Sequence, residues 1–543
     1  MGDLVLAVDC STTASKAVVW DMQGRAVSMG RAGFSHSAPQ PGWGEQDPID
    51  WWNATVEAIG KACGQIDVSR LAALSITHQR ETFVCLDEAG HALRPAMLWL
   101  DSRATQEVAE FGSDAVHRTT GKPPNTATSW YKLLWLARHE PRILDSTHRV
   151  ADVHSYLVNR LTGEWATSWG SVDPLGVLDL DSFALDAGLI DRVGLTKDHF
   201  PTVHAPGTVL GTLRREAADR LGLVAGLPVV AGLGDGQAAG LGVGITRPGE
   251  AYLNLGTGIV SGTFSEAYQT DRAFRTMTGG VPGTYLIETF FGGGTYNVTW
   301  FTERFSGIGA QPFGLDLSPE RILEAAAADL PAGSEGLLAL PYLTGVLTPY
   351  WDSNARGVLF GLSPRHGKAH IYRAVLEGLA LEQRLSTTGA EAAMGMRTER
   401  FRLMGGGTQS RLWCQIVADI LERPIEIARE AEATCLGAGM LAAVGAGLFA
   451  DARQAADTMS GGGRVHEPDP VQAARYDLLY GVYKDIYPAL RDQFARMKDV
   501  MHDLATDTFD IGRNAPDAAP ATGVGPLRGD PRPLANGGAA QHH

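Results

Sequence analysis

Three features are scarce in this sequence, and each scarcity excludes a class of protein. Lys and Arg form no long run, and the formal charge of −15 argues against a nucleic-acid-binding surface. The five cysteines are scattered and form no C-x-x-C pair, which is typical of free thiols in a reducing compartment and argues against a zinc site. No apolar run approaches the roughly 20 residues that span a bilayer. A strand pattern follows Met-Gly-Asp directly, so we expect no signal peptide, no membrane association and a cytoplasmic location.

The length of 543 residues is too great for a single core, so two or more domains are expected. Each half contains a strand, a small-residue turn with hydroxyl groups and a second strand, with the turns at residues 11–13 and 256–258. We place the boundary near Thr246, which gives domains 1–246 and 247–505. From residue 506 onward Pro, Gly and Ala dominate without periodicity, which predicts a disordered tail at 506–543.

Apolar periodicity gives a coarse map of strands and helices. Asp47 followed by Pro48 is a strong helix start. The predicted strands are 4–8, 16–20, 26–30, 71–77, 83–86, 251–255, 259–264, 285–289 and 401–404. The predicted helices are 49–63, 130–137, 153–161, 371–384, 412–421 and 434–444.

The chain is organised around residues 229–262, where an apolar run ends in Gly-Asp-Gly-Gln and a second run ends in Leu-Gly-Thr-Gly. The first part predicts Asp235 on a glycine-flanked turn. There its carboxylate can act as general base toward a hydroxyl that attacks a γ-phosphate. The alternative is a turn-forming Asp, which is the commonest use of Asp before Gly.

Three glycine- or hydroxyl-rich turns at strand ends are candidates for binding a nucleotide. Each has the alternative of an ordinary hairpin or strand-to-helix loop, but three such turns in one chain favour nucleotide binding. In the first, Asp9 would hold Mg²⁺, and Lys16 would add positive charge beside the phosphates. The predicted ATP-binding residues are Ser11, Thr12, Thr13, Lys16, Gly256, Thr257, Gly258, Gly405, Gly406, Gly407 and Gln409.

A polar triplet after the 71–77 strand is the candidate site for a sugar or polyol. Gln79 precedes Arg80, which can donate hydrogen bonds, and Glu81, which can accept them; this combination suits vicinal hydroxyls. Trp99 would pack against the apolar face of a sugar chain. The alternatives are a solvated loop for the triplet and a core position for Trp99.

Two long stretches then identify a resemblance to the FGGY carbohydrate kinases, over residues 4 to about 447. Residues 129–139 (SWYKLLWLARH) match the first signature of that family, except that Ala127 stands where an aromatic residue, Met, Gly or Ser is usual. The second signature is matched throughout by residues 357–362 (GVLFGL) followed by 370–377. The resemblance implies an α/β, two-domain actin-like (ribonuclease-H-like) fold with ATP and sugar in the interdomain cleft.

The same resemblance implies roles for the candidate residues. Asp235 resembles the catalytic base and Asp9 the metal-associated aspartate. Thr257 resembles the threonine of the second phosphate loop, and residues 405–409 the adenosine segment. The triplet at 79–81 and Trp99 are similar to the polyol-binding positions of glycerol kinases, whereas GEAYLNLGTG and LPYLTG are closer to xylulokinases.

We therefore expect an ATP- and Mg²⁺-dependent kinase that phosphorylates a terminal hydroxyl of a small ketose or polyol. A ketopentose such as xylulose is the first candidate acceptor, and a glycerol- or erythritol-type polyol or a tetrulose is the alternative. Two other classes are an actin- or chaperone-like ATPase acting on a protein partner and a catalytically silent sugar sensor. The sequence leaves the oligomeric state open, with a homodimer as one option.

Overall fold

Two mixed β-sheets with the same strand plan form the framework of the chain. The structure, a computed structural model, describes residues 2–307 and 318–505. In each sheet one strand begins a set of three antiparallel strands on one side. On its other side the same strand pairs with a parallel strand, which in turn pairs with a second parallel strand. The repeat of this plan confirms that the two halves of the sequence correspond to each other.

Hydrogen bonding between neighbours sets the spatial order of the strands in each sheet. From one edge to the other, the first sheet contains Val209–Thr212, Pro228–Gly234, Leu71–His78, Leu4–Cys10, Ala14–Asp21 and Ala26–Gly33. The second sheet contains Arg275–Thr278, Tyr285–Phe291, Ile259–Ser265, Glu250–Leu255, Arg400–Met404, Ile425–Ala428 and Gly462–His466. A smaller sheet contains Glu45–Gln46, Ala96–Met97, Phe83–Leu86 and Arg149–Asp152. Two-stranded pairs join Leu178–Asp179 to Ala184–Leu185, Thr202–His204 to Ala166–Ser168, and Leu338–Leu340 to Val358–Phe360.

Helices cover these sheets and connect their strands. In the first half they are Pro48–Cys63, Thr105–Phe111, Asp114–Thr120, Ser129–His139, Pro141–Asp145, Val153–Thr162, Trp169–Val172, Ala187–Asp191, Arg215–Leu221 and Asp235–Gly242. In the second half they are Thr295–Phe305, Pro319–Ala328, Lys368–Met394, Arg411–Leu421, Ala433–Gly445, Ala452–Met459 and Pro470–Ala505.

Every strand and helix predicted from periodicity lies within an observed element. The predicted helix start is also observed, because the Asp47 side chain accepts a hydrogen bond from the backbone N–H of Ile49 and Pro48 occupies the first turn. One local prediction is wrong. Asp235 is not on the predicted glycine-flanked turn but is the first residue of the helix Asp235–Gly242, directly after the strand Pro228–Gly234.

The helices Asp235–Gly242 and Ala433–Gly445 pack closely because both are made of small residues. A Cβ atom on Gly437 would lie 1.9 Å from the carbonyl oxygen of Ala238, so only glycine fits at this crossing. The second helix also covers the first sheet, where Gly439 lies against Trp20. The crossing therefore joins the helix that begins with Asp235 to a helix from the far end of the chain.

The chain divides into two units, Met1–Arg491 and Asp492–His543. The described part of the second unit is helical. The tail predicted to be disordered, 506–543, lies outside the described residues. Across residues 2–307 and 318–505, no helix combines the length and apolar character needed to cross a bilayer.

Candidate active site

A cavity of about 300 Å³ brings together four of the residues predicted to bind or activate the acceptor. Arg80, Glu81, Trp99 and Asp235 all line it. The fifth, Gln79, is buried beside it and donates from Nε2 to Oε1 of Gln46 at 2.9 Å. The other lining residues were not predicted from the sequence to bind the acceptor. They come from several loops and from the second sheet: Asn125, Thr126, Ala127, Val260, Arg275, Phe290, Leu347, Thr348 and Trp351.

Asp235 presents a partly exposed carboxylate at the end of a buried parallel strand. Its Oδ1 accepts from the N–H of Gly236 at 2.7 Å and lies 2.8 Å from Nε of Arg80. The side chain is 43% exposed, so these two contacts hold one oxygen while the carboxylate stays accessible from the cavity. The strand end thus presents an oriented carboxylate at the cavity wall.

Arg80 and Glu81 belong to a chain of alternating charges that also includes two residues of the second sheet. Nη1 of Arg80 donates to Oε2 of Glu288 at 2.9 Å. Nη1 of Arg275 donates to Oε1 of Glu81 at 2.8 Å, and the Arg275 guanidinium also binds Glu288. Burial alone would raise the pKa of Glu288, but the guanidiniums of Arg275 and Arg80 outweigh it and lower that pKa to about 2.

The backbone around Glu81 is held by a buried lysine within the first signature. Nζ of Lys132 donates to the carbonyl oxygens of Glu81 at 2.8 Å and of Leu98 at 2.7 Å. Glu81 adopts a φ of 56°, which is uncommon for a residue other than glycine. Burial lowers the pKa of Lys132 to about 7. Lys132 therefore fixes two backbone segments of the cavity, one at Glu81 and one directly before Trp99.

The first predicted phosphate loop adjoins the acceptor cavity through one hydrogen bond. Nε1 of Trp99 donates to Oγ1 of Thr12 at 2.9 Å. Within the loop, Oγ of Ser11 donates to the carbonyl of Ala14 at 2.9 Å, and Thr13 is exposed. Lys16 forms an ion pair with Glu432, the residue before the helix Ala433–Gly445.

Asp9 lies near the end of the central strand of the first sheet, where its Oδ1 atom is buried. Among the described residues, no hydrogen-bond donor reaches its Oδ1. Burial raises the pKa of Asp9 to about 7, the negative charge of Asp235 adds to this effect, and Lys16 opposes it. A buried carboxylate oxygen without a donor, facing a second carboxylate, fits a cation such as Mg²⁺. In the described part of the chain, no cluster of three or more His, Cys, Asp or Glu side chains could hold a metal ion. Water and substrate would therefore have to complete such a site.

The second predicted loop, at residues 256–258, lies between the strands Glu250–Leu255 and Ile259–Ser265. Its carbonyl groups are held by the start of the helix Thr295–Phe305. The N–H of Thr295 donates to Gly256 at 2.8 Å, and that of Tyr296 donates to Thr257 at 3.3 Å. Gly258 packs against Phe290, and the side chain of Thr257 is exposed.

The third predicted loop follows the strand Arg400–Met404 and leads into the helix Arg411–Leu421. Gly405 has a φ of 90°, and a Cβ atom there would lie 2.4 Å from Oδ1 of Asn254, so glycine is required. A Cβ on Gly406 would meet no atom of the described chain within 4 Å, whereas one on Gly407 would meet Trp413. Gln409 is exposed. Gly406 thus provides a flat, open backbone surface.

Comparison with known proteins places this chain in a family. The N-terminal domain of the FGGY family of carbohydrate kinases matches residues 4–242, and its C-terminal domain matches residues 251–446. The chain is 32% identical over 452 residues to the xylulose kinase of Escherichia coli strain K12, covering 82% of this chain and 90% of that protein. It is 29% identical to the glycerol kinase of Thermococcus onnurineus strain NA1, covering 81% of this chain and 89% of that protein.

A solved structure agrees with these matches. The crystal structure of xylulose kinase from Rhodospirillum rubrum superposes with a TM-score of 0.84 at 30% identity, covering 91% of this chain and 100% of that one. The chain therefore belongs to the FGGY family of carbohydrate kinases, has its two-domain actin-like fold, and is an ATP-dependent phosphotransferase that acts on a sugar.

Proposed function

We propose that this kinase transfers the γ-phosphate of ATP to a terminal hydroxyl of a small ketose or polyol, with a ketopentose such as xylulose as the first candidate. The observation that carries the proposal is the accessible Asp235 carboxylate, fixed by Arg80 at the wall of the cavity. The hydroxyl oxygen attacks the γ-phosphorus, its proton passes to Asp235, and the bond from phosphorus to the β,γ-bridging oxygen breaks to release ADP.

Two observations support a ketopentose over a shorter acceptor. One is the small side chain at position 127, and the other is the similarity of this chain to xylulose kinases. Ala127 lines the cavity and leaves more space than an aromatic residue or Met, two of the residue types that the first signature allows at this position. The similarity to two xylulose kinases, at 32% and 30% identity, supports the same choice. The similarity to a glycerol kinase at 29% identity, together with Arg80, Glu81 and Trp99, supports the alternative of a glycerol- or erythritol-type polyol or a tetrulose.

ATP would be bound by the three loops. We assign the phosphates to residues 11–13 and 256–258 with Lys16, and the adenosine to residues 405–407 with Gln409. Asp9 would hold Mg²⁺, which when bound neutralises charge on the transferring phosphate. The ion pair between Lys16 and Glu432 keeps the lysine beside the first loop.

The domain boundary near residue 246 is part of the proposal. All strands of the first sheet precede that residue, and all strands of the second sheet follow it. We assign the acceptor site, the first loop and the base to residues 1–246, and the second and third loops to 247–505. Closure of the two domains would exclude water, so that hydrolysis does not compete with transfer.

A cytoplasmic location and a homodimer are further parts of the proposal. All five cysteines are buried and free, which supports a reducing compartment. Leu359, Phe360 and Leu362 are exposed next to one another, and such apolar patches favour association. Light scattering after size-exclusion chromatography tests the dimer, and a monomeric mass at micromolar concentration would contradict it.

The acceptor is tested by measuring ADP release with glycerol, erythritol, D-erythrulose, D- and L-xylulose, D- and L-ribulose and pentitols. We expect D-xylulose or another ketopentose to give the highest kcat/KM. A polyol or tetrulose ahead of every ketopentose would favour the alternative. Tight sugar binding without ADP release would instead indicate a silent sensor, and partner-stimulated hydrolysis without sugar would indicate an ATPase acting on a protein.

A further inference from the structure

Arg275 and Glu288 are directly opposite each other on neighbouring strands of the second sheet. The strands Arg275–Thr278 and Tyr285–Phe291 are antiparallel, with Arg275 paired to Glu288. Nε of Arg275 donates to Oε1 of Glu288 at 2.5 Å. The strand register thus fixes the Nε end of the guanidinium. Its Nη1 atom reaches Oε1 of Glu81, a residue from the first half of the chain.

Glu288 holds both arginines and is itself away from solvent. Its side chain is fully buried and is not among the residues that line the cavity in the described structure. Besides Arg275 it accepts from Arg80 at 2.9 Å and from the Tyr252 hydroxyl at 3.3 Å. Because two guanidiniums share this carboxylate, their positions at the cavity wall are coupled through it.

The two carboxylate partners of Arg275, Glu288 and Glu81, do not use all of its N–H donors. An arginine carries five N–H donors in a planar fork. Arg275 lines the cavity next to Glu81, so one hydroxyl group there can accept from the guanidinium and donate to the carboxylate. Asp235 lies at the other end of the charge chain, where it contacts Arg80.

We propose that Arg275 binds a hydroxyl of the acceptor distant from the one that is phosphorylated, and that Glu288 is the positioning residue for Arg275 and Arg80. The proposal rests on the proposed function and deepens it. The acceptor carries hydroxyls near both ends of its chain, one toward Asp235 and one between Glu81 and Arg275. The second sheet thereby contributes a residue that selects the acceptor, in addition to its ATP loops.

The test compares pairs of acceptors that differ only in the distant hydroxyl. D-Xylulose is paired with 1-deoxy-D-xylulose, and glycerol with 1,2-propanediol; each analogue keeps a terminal hydroxyl for transfer. Arg275→Gln should raise the KM of the complete acceptor roughly 10- to 100-fold, as expected for a lost hydrogen bond to a charged group. The KM of the deoxy analogue and the KM of ATP should stay close to their wild-type values.

Glu288→Gln should raise the acceptor KM and also lower kcat, because Arg80 loses its anchor while it holds Asp235. Arg275→Lys, which keeps the charge without the fork, should recover part of the lost affinity. The matched control is Arg400→Gln, since Arg400 and Glu250 form another cross-strand ion pair of the second sheet. It should change none of these constants. Thermal unfolding midpoints identify any variant that fails to fold.

Each outcome decides one point. Equal losses with the complete and deoxy acceptors, or an unchanged acceptor KM in folded Arg275→Gln, overturn the role of Arg275. An equal rise in the KM values of acceptor and ATP in Glu288→Gln overturns its positioning role in favour of a structural one. A wild-type enzyme that phosphorylates none of these four compounds overturns the acceptor class itself, and with it this inference.

Discussion

Nε of Arg80 lies 2.8 Å from Oδ1 of Asp235, and the same guanidinium is anchored by Glu288 on the other sheet. The orientation of the candidate base therefore depends on a residue from the second half of the chain. Under the proposed assignment of ATP and sugar to the interdomain cleft, this contact would link the approach of the domains to the orientation of Asp235. With Asp235 as the proposed base, an orientation that is complete only when both sheets are in place would limit reaction with water.

Replacing Asp235 with Asn should remove most turnover while leaving ATP binding intact. The amide keeps the shape of the side chain but cannot accept the hydroxyl proton, and general bases contribute roughly 100- to 10,000-fold to rate. The measurement is kcat from ADP release, with ATP affinity from equilibrium titration. Arg400→Gln serves as a variant remote from the cavity. Turnover near the wild-type value in Asp235→Asn would exclude this role.

Asp9→Asn should abolish Mg²⁺-dependent transfer and at the same time stabilise the folded protein. A carboxyl whose pKa is raised from 3.8 to about 7 is destabilising at pH values above its unfolded pKa, and the cost grows until the pH exceeds 7. Removing that charge should therefore raise the free energy of unfolding at pH 8 by on the order of 1 to 4 kcal/mol. Thermal unfolding of wild type and variant without Mg²⁺, at pH 8 and pH 5, measures this difference in stability. The variant should gain less stability at pH 5 than at pH 8.

An Asp9→Asn variant that is less stable than wild type at pH 8 would contradict the expected stabilisation. Full activity with unchanged Mg²⁺ dependence would separately contradict the assignment of Asp9 to the metal. Asp3→Asn is a suitable control, because Asp3 is an exposed carboxylate paired with Arg70 at the protein surface.

The fold was predictable because its elements carry strong periodic patterns, as in the strand Leu4–Cys10 and the helix Pro48–Cys63. The helix Asp235–Gly242 was missed for a physical reason. It consists of Asp, Gln, Gly, Ala and Leu and is buried on nearly all sides, so it has no amphipathic pattern to distinguish it from a glycine turn.

The candidate site was predictable mainly where residues lie within a few positions of the end of a strand. Arg80, Glu81 and Asp235 do so, and they meet in one cavity. Arg275 and Glu288 have no such signal, because their proximity arises from cross-strand register and from the meeting of two distant parts of the chain. Lys132 lies within the first signature, but its contact with the Glu81 carbonyl cannot be read from spacing alone.

Glu382→Gln should make stability less dependent on pH. Glu382 is buried, and its Oε2 accepts from the hydroxyls of Tyr342 at 2.7 Å and Tyr483 at 2.8 Å. Burial raises the pKa of Glu382 from 4.5 to about 7. The folded state therefore holds a proton that the unfolded state releases between these values, so stability falls as the pH rises from 4.5 to 7.

The unfolding midpoints of wild type and Glu382→Gln should diverge across that window, with the variant gaining most above pH 7. Glu399→Gln provides a control at an exposed carboxylate. Parallel curves for wild type and Glu382→Gln between pH 4.5 and pH 8 would show that the carboxyl of Glu382 titrates alike in both states.

Ala127→Tyr should narrow the acceptor range toward shorter molecules. Ala127 lines the cavity beside Asn125 and Thr126, and a phenol ring there would occupy space that a five-carbon chain needs. We expect kcat/KM for D-xylulose to fall roughly 10- to 100-fold, which is the discrimination that one or two groups too large for a pocket produce. The kcat/KM for glycerol should stay close to its wild-type value. Ala127→Ser, which adds only a hydroxyl, should alter neither substrate strongly. A loss of equal size for D-xylulose and glycerol, at an unchanged unfolding midpoint, would mean that residue 127 affects the reaction itself and does not set acceptor length.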